Sequence, residues 1–181
     1  MWTNFFMNNF DQQIVTWFLS HRSDCGINFF SVITFLGNWQ WVLPLMALVT
    51  IVLFVRRKRW FIWPLLLVVV SSEVVVFLGK ILFQRSRPNG GVFQPIDFSF
   101  PSGHAAVAVA LYGYLSYVII KLCPSRYNWL IIVLAVSLAV LIGFSRLYLG
   151  VHYLSDILVG YLLGIIALLI GINLSREKIN N

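Results

Sequence analysis

Apolar residues run almost without interruption over five stretches of this chain, residues 29–55, 60–79, 104–122, 129–144 and 152–174, separated by polar or charged segments. Each is long and apolar enough to be read as a crossing of the bilayer's hydrocarbon core. That core offers no water to backbone groups, so a crossing segment is a helix or part of a closed barrel. These continuous runs lack the alternation of barrel strands. The pattern therefore predicts an all-α, integral membrane helical bundle of about five transmembrane helices, forming a single membrane-embedded domain over residues 1–181. Residues 2–20 differ: Phe5, Phe6, Phe10, Ile14, Trp17 and Phe18 are interleaved with Asn8, Asn9, Asp11, Gln12 and Gln13. This predicts an amphipathic N-terminal helix lying in the interface, with a sixth, tilted span as the alternative.

Composition removes the soluble reading. The chain is 60% hydrophobic and 10% charged, which leaves too few polar residues to cover a water-facing surface. Trp39, Trp41, Trp60, Trp63, Tyr127 and Trp129 cluster near the ends of apolar runs, where amphipathic rings anchor a protein at the headgroup layer. The N-terminus has no basic region ahead of an apolar stretch and lacks the pattern of a cleaved signal peptide.

The net charge of +7 is informative through its distribution, and gives no reason to infer nucleic-acid binding. Arg56, Arg57, Lys58 and Arg59 between the first two runs mark that turn as cytoplasmic. Alternation then puts Lys121, Arg126, Arg176 and Lys178 on the same side, so eight of thirteen basic residues agree and the C-terminus is cytoplasmic. Cys25 and Cys123 fall at opposite faces, and no disulfide is expected. The other five cations, Arg22, Lys80, Arg85, Arg87 and Arg146, fall on the outer side, four of them in the loops over 80–103 and 145–151. Cations held against the orienting bias suggest a local anionic ligand in a site that opens outward.

Those two loops carry three clusters: Lys80 with Arg87-Pro88, Pro101-Ser102-Gly103-His104, and Ser145-Arg146 with His152 and Asp156. Phosphoryl transfer requires cations around the phosphate oxygens, a nucleophile in line with the leaving group, and an acid for that group. Lys80 and Arg87 share a face if their helix continues, and Arg146 can join them; each alone could equally be a snorkelling cation at a membrane edge. Ser102 and Gly103 open an apolar helix, either as an anion seat or as an ordinary helix start. Asp156, four residues after His152 at the start of the last helix, can fix one imidazole nitrogen and leave the other to attack phosphorus; a polar pair closing a helix end would look the same. His104 suits the general acid, whereas His21 has no such company. Glu73, two turns before Lys80 within the second run, is either an indirect support for Lys80 or a carboxyl with a packing role.

The pattern Lys-x6-Arg-Pro, Pro-Ser-Gly-His and Ser-Arg-x5-His-x3-Asp, here Lys80 to Pro88, Pro101 to His104 and Ser145 to Asp156, resembles the type 2 phosphatidic acid phosphatase superfamily. The three motifs are complete and in the family's order. The resemblance implies a metal-independent reaction with no cofactor, in which His152 becomes a phosphohistidine, Asp156 supports it, and His104 protonates the leaving lipid and later activates water. Lys80, Arg87, Ser102, Gly103 and Arg146 would hold the phosphate. It also implies a helical bundle, commonly of six spans, against the five plus an amphipathic segment read here.

Small bacterial members resembling this chain act on undecaprenyl diphosphate, phosphatidylglycerophosphate, phosphatidate or lipid A phosphates, of which the first two fit a short chain with an outward site in a bacterial cytoplasmic membrane. The expected partners are a lipid phosphate and the bilayer; oligomeric state is left open. Transfer to an acceptor, vanadate-dependent oxidation, and non-catalytic binding of a phosphorylated lipid are the competing readings. The last needs no paired histidines.

Overall fold

The computed structural model describes residues 9–180, with side chains to residue 176. Trp2, Phe5, Phe6, Asn8 and the Lys178 side chain lie outside the described residues. Eight α-helices follow in order: α1 Asn9–His21, α2 Asp24–Phe35, α3 Trp39–Val55, α4 Ile62–Phe83, α5 Gly103–Val107, α6 Gly113–Leu122, α7 Asn128–Tyr148 and α8 Leu154–Asn180. A 3₁₀ turn, Arg59–Phe61, leads into α4, and a π turn, Ala108–Tyr112, joins α5 to α6. Five stretches are long and apolar enough to cross a membrane: Asp24–Val55, Arg59–Phe83, Gly103–Leu122, Asn128–Tyr148 and Leu154–Arg176.

The first of these is not one helix. It breaks between α2 and α3, where the Asn38 side chain accepts a hydrogen bond from the Gln40 backbone at 3.1 Å and so caps α3. Hydropathy cannot report this break, because its cause is tertiary. A Cβ at Gly37 would stand 2.9 Å from Cγ2 of Ile142 and 3.1 Å from Cδ2 of His104. The chain thus bends where it passes His104, and irregular backbone at that depth is tolerated because it lines a cavity.

Two further expectations change. The helix carrying Lys80 does not run on to Arg87: α4 stops at Phe83, and Gln84 adopts φ +46°, a left-handed conformation that ends it. The last helix starts at Leu154, so His152 sits in the turn before it. Asp156 caps that start by accepting the Tyr153 backbone N–H at 2.9 Å, the reach-back half of a capping box.

The core lies between α4, the α5–α6 segment and α8, around Leu65, Val68, Val69, Leu111 and Tyr114. Gly160 and Gly164 set how closely α8 approaches. A Cβ at either would come 2.5 Å from a carbonyl oxygen, that of Ser102 or Ala106, so the small-xxx-small spacing brings the two backbones together. The Ser102 amide consequently donates to the Asp156 carbonyl at 3.0 Å, which joins the two histidine-bearing segments. α1 is present as an amphipathic helix, but it buries more than an apolar stripe. Asp11 is 4% exposed while Phe10 is 58% exposed.

Candidate active site

The end of α4, the loop after it, the start of α5, the end of α7 and the turn before α8 meet around a cavity of about 460 Å³. Lys80, Arg87, Gly103, His104, Arg146 and His152 all line it, so six of the eight residues read from the sequence share one cavity. Ser102 and Asp156, both 0% exposed, stand behind it.

His152 is 2% exposed. Its Nε2 lies 3.1 Å from Nη1 of Arg87, and its Nδ1 lies 3.4 Å from Oδ2 of Asp156. A guanidinium has donors and no acceptor, so Nε2 must be the unprotonated nitrogen and Nδ1 carries the hydrogen towards the carboxylate. Burial first, then the charges of Arg146, Arg87 and Lys80, hold the ring well below the ordinary histidine range, against a hydrogen bond to the Ser99 backbone. The ring thus presents an unprotonated Nε2 on the cavity wall, where it accepts a hydrogen bond from Arg87.

Arg87 is held from several sides. Its Nε donates to the Asp97 carbonyl at 2.9 Å, Nη1 to the Val151 carbonyl at 2.7 Å, and Nη2 to Asp97 Oδ1 at 2.7 Å and the Phe98 carbonyl at 3.3 Å. Lys80 donates to the other Asp97 oxygen. Asp97 thus bridges two cations on the cavity wall. Burial raises its pKa, but the hydrogen bonds and charges of Lys80 and Arg87 outweigh this and bring it to about 2. Arg146 is 3% exposed; its Nη1 donates to Thr34 Oγ1 at 2.8 Å and its guanidinium lies 5.5 Å from the Phe93 ring centre.

Across the cavity, His104 occupies the first turn of α5, where backbone amides have no intrahelical partner. Gly103 lets Glu73 come close, for a Cβ there would meet Glu73 Oε2 at 3.3 Å. Ser102 makes no capping bond, and its hydroxyl is buried without a partner among the described residues. Glu73 shares the cavity wall with Lys80, but the hydrogen bond of Lys80 goes to Asp97.

The model of the PAP2 superfamily matches residues 61–179, which carry all three motif clusters. The chain belongs to the PAP2 superfamily. It is 36% identical over 140 residues to "Phosphatidylglycerophosphatase B" of Bacillus subtilis (strain 168), covering 74% of this chain and 68% of that protein. It is 31% identical over 106 residues to "Undecaprenyl-diphosphatase" of Sulfolobus acidocaldarius, covering 53% of this chain and 48% of that protein. The crystal structure of a transmembrane PAP2 type phosphatidylglycerolphosphate phosphatase from Bacillus subtilis superposes with a TM-score of 0.90 at 28% identity, covering 97% of this chain and 91% of that one. The chain is accordingly a multi-pass membrane protein and a PAP2 phosphatase.

Three features in and behind this PAP2 cavity escaped the sequence. Asp97 lies in a loop with no pattern around it. Arg85 was visible as one of the outer cations but without a role; it is 4% exposed and paired with Asp11 and Asp156. Asp11 read as one polar position of an amphipathic helix, and nothing local marks its partner 74 residues away.

Proposed function

We propose that this chain hydrolyses a phosphate ester or diphosphate of a membrane lipid by way of a phosphohistidine on His152. The observation that carries the reading is the unprotonated Nε2 of His152 on the cavity wall, accepting from Arg87 while Nδ1 turns to Asp156. In the first step the Nε2 lone pair forms a bond to phosphorus and the bond from phosphorus to the leaving oxygen breaks, that oxygen being the ester oxygen of a monophosphate or the bridging oxygen of a diphosphate. His104 gives that oxygen a proton. In the second, water attacks phosphorus, His104 takes the water's proton, and the bond to Nε2 breaks to release phosphate. Lys80, Arg87 and Arg146 spread the equatorial charge, with the backbone at Gly103 as a further donor. Ser102 holds α5 against α8, and the cations required are the protein's own.

The favoured substrates are undecaprenyl diphosphate and phosphatidylglycerophosphate, with phosphatidate and lipid A phosphates next. The two relatives named above carry the first two activities in their names, which supports this order. The site is inferred to open to the periplasmic or extracellular face of a bacterial cytoplasmic membrane. Arg56, Arg57, Lys58 and Arg59, Lys121 with Arg126, and Arg176 occupy turns or ends at the opposite pole of the helix pattern, the distribution expected of a cytoplasmic side.

The test is release of inorganic phosphate by purified protein from each of the four lipid classes, with and without acceptor lipids. Release that disappears in His152→Ala supports the reading. Binding without release from any class contradicts it, and phosphate appearing on acceptor lipids instead of in solution identifies a transferase.

A further inference from the structure

Arg85 and Asp11 form a buried charged group that the reaction scheme above leaves unused. Nη1 of Arg85 donates to Asp156 Oδ1 at 2.6 Å and to Ser155 Oγ at 2.7 Å, and Nη2 donates to Asp11 Oδ2 at 2.8 Å. The guanidinium lies 4.1 Å from the centre of the Tyr153 ring. Asp11 also accepts the Ser155 backbone N–H at 3.1 Å and the Ser155 hydroxyl. α1 delivers this carboxylate: Val15 packs with Leu147, Tyr153 and Ile157, and Gln12 Nε2 donates to the Tyr153 hydroxyl at 3.1 Å.

Two carboxylates share one guanidinium, so the trio carries net negative charge next to His152. If Arg85 faced Asp156 alone, the pair would be neutral and Asp156 would offer little to a ring that gains positive charge on attacking phosphorus. Asp11 takes part of the guanidinium's charge and leaves the Asp156 carboxylate anionic, while Arg85 and the Tyr153 amide fix its two oxygens. We propose that Asp11, acting through Arg85, is a positioning residue that keeps Asp156 both anchored and negatively charged against Nδ1 of His152. The inference rests on the function proposed above.

The experiment compares wild type, Asp11→Asn and Gln12→Ala in lipid-phosphate turnover with inhibition by vanadate. Asparagine keeps the shape of Asp11 and removes its charge. The expected result is a fall in kcat of about 10- to 100-fold, with KM within about twofold because the groups that hold the ground-state phosphate are unchanged, and with weaker inhibition by vanadate, whose adduct with Nε2 loads the same ring. Gln12→Ala removes the hydrogen bond from α1 to the Tyr153 hydroxyl, leaves the Asp11 carboxylate in place, and keeps kcat within about twofold of wild type. An Asp11→Asn enzyme with undiminished kcat overturns the inference, as does a Gln12→Ala enzyme that loses as much, since docking of α1 would then be the whole effect. Should Asp11→Asn not purify folded, Ser155→Ala removes a hydroxyl touching both Asp11 and Arg85: lower kcat at constant KM supports the inference, and unchanged kcat overturns it. A wild-type chain that turns over no lipid phosphate removes the proposed function and this inference together; an active wild type with active Asp11→Asn removes the inference alone.

Discussion

Nη1 of Arg87 lies 3.1 Å from Nε2 of His152, and every other partner of that guanidinium is a carbonyl or carboxylate oxygen of the surrounding loops. The donor aimed at Nε2 is therefore aimed at the place where a phosphoryl group would sit. Lysine at this position could neither hold the loops in the same fork nor reach the phosphoryl oxygen in fixed geometry. Arg87→Lys is expected to lower kcat by about 100-fold or more, in the range lost with one oxyanion donor, as measured by steady-state phosphate release.

Asp97 occupies Lys80 and Arg87 with a carboxylate, and an incoming phosphate must compete for the same cations. Asp97→Asn is expected to strengthen inhibition by inorganic phosphate or vanadate by about tenfold, equivalent to about 1.4 kcal/mol. The same bridge has a pH signature. Its carboxyl titrates at about 2, below the ordinary value of 3.8, so the stabilisation it provides is present above the ordinary value and is lost as pH falls towards about 2. The difference in thermal midpoint between wild type and Asp97→Asn should be constant from neutral pH to about 5 and close below about 4.

His104 serves as acid for the leaving lipid and as base for water, so its removal harms two steps unequally when the leaving group changes. With p-nitrophenyl phosphate, whose leaving oxygen needs little protonation, His104→Ala should still form the phosphoenzyme and then stall. The phosphoenzyme should accumulate, while turnover of a lipid phosphate falls by about 10²- to 10⁴-fold. Rapid-quench labelling reads both quantities.

Gly37 matters because the backbone presses on His104. Gly37→Val forces its side chain against His104 and Ile142 and is expected to lower kcat by about tenfold while leaving KM nearly unchanged, a split visible in steady-state kinetics.

Local pattern carries far in this chain, and its failures have physical causes. His152, Asp156, His104 and the cations could be singled out because residue chemistry, shared outer loops and the family's motif pattern group them, and the spans were legible because hydrocarbon enforces helices. The break at Gly37 was hidden, since the residues around it stay apolar and the bend answers to His104 and Ile142. The separation of Lys80 from Arg87 by the end of α4 turns on the φ of Gln84, which no periodicity reports. Asp11 and Arg85 were invisible as a pair because a buried ion pair between distant segments leaves no mark on either one.

The central claim, covalent catalysis by His152, is tested most directly by trapping the enzyme during turnover of a ³²P-labelled lipid phosphate and identifying the labelled residue. The account predicts an acid-labile, base-stable phosphohistidine on His152, absent from His152→Ala. Label on another residue, or undiminished phosphate release by His152→Ala, would contradict it.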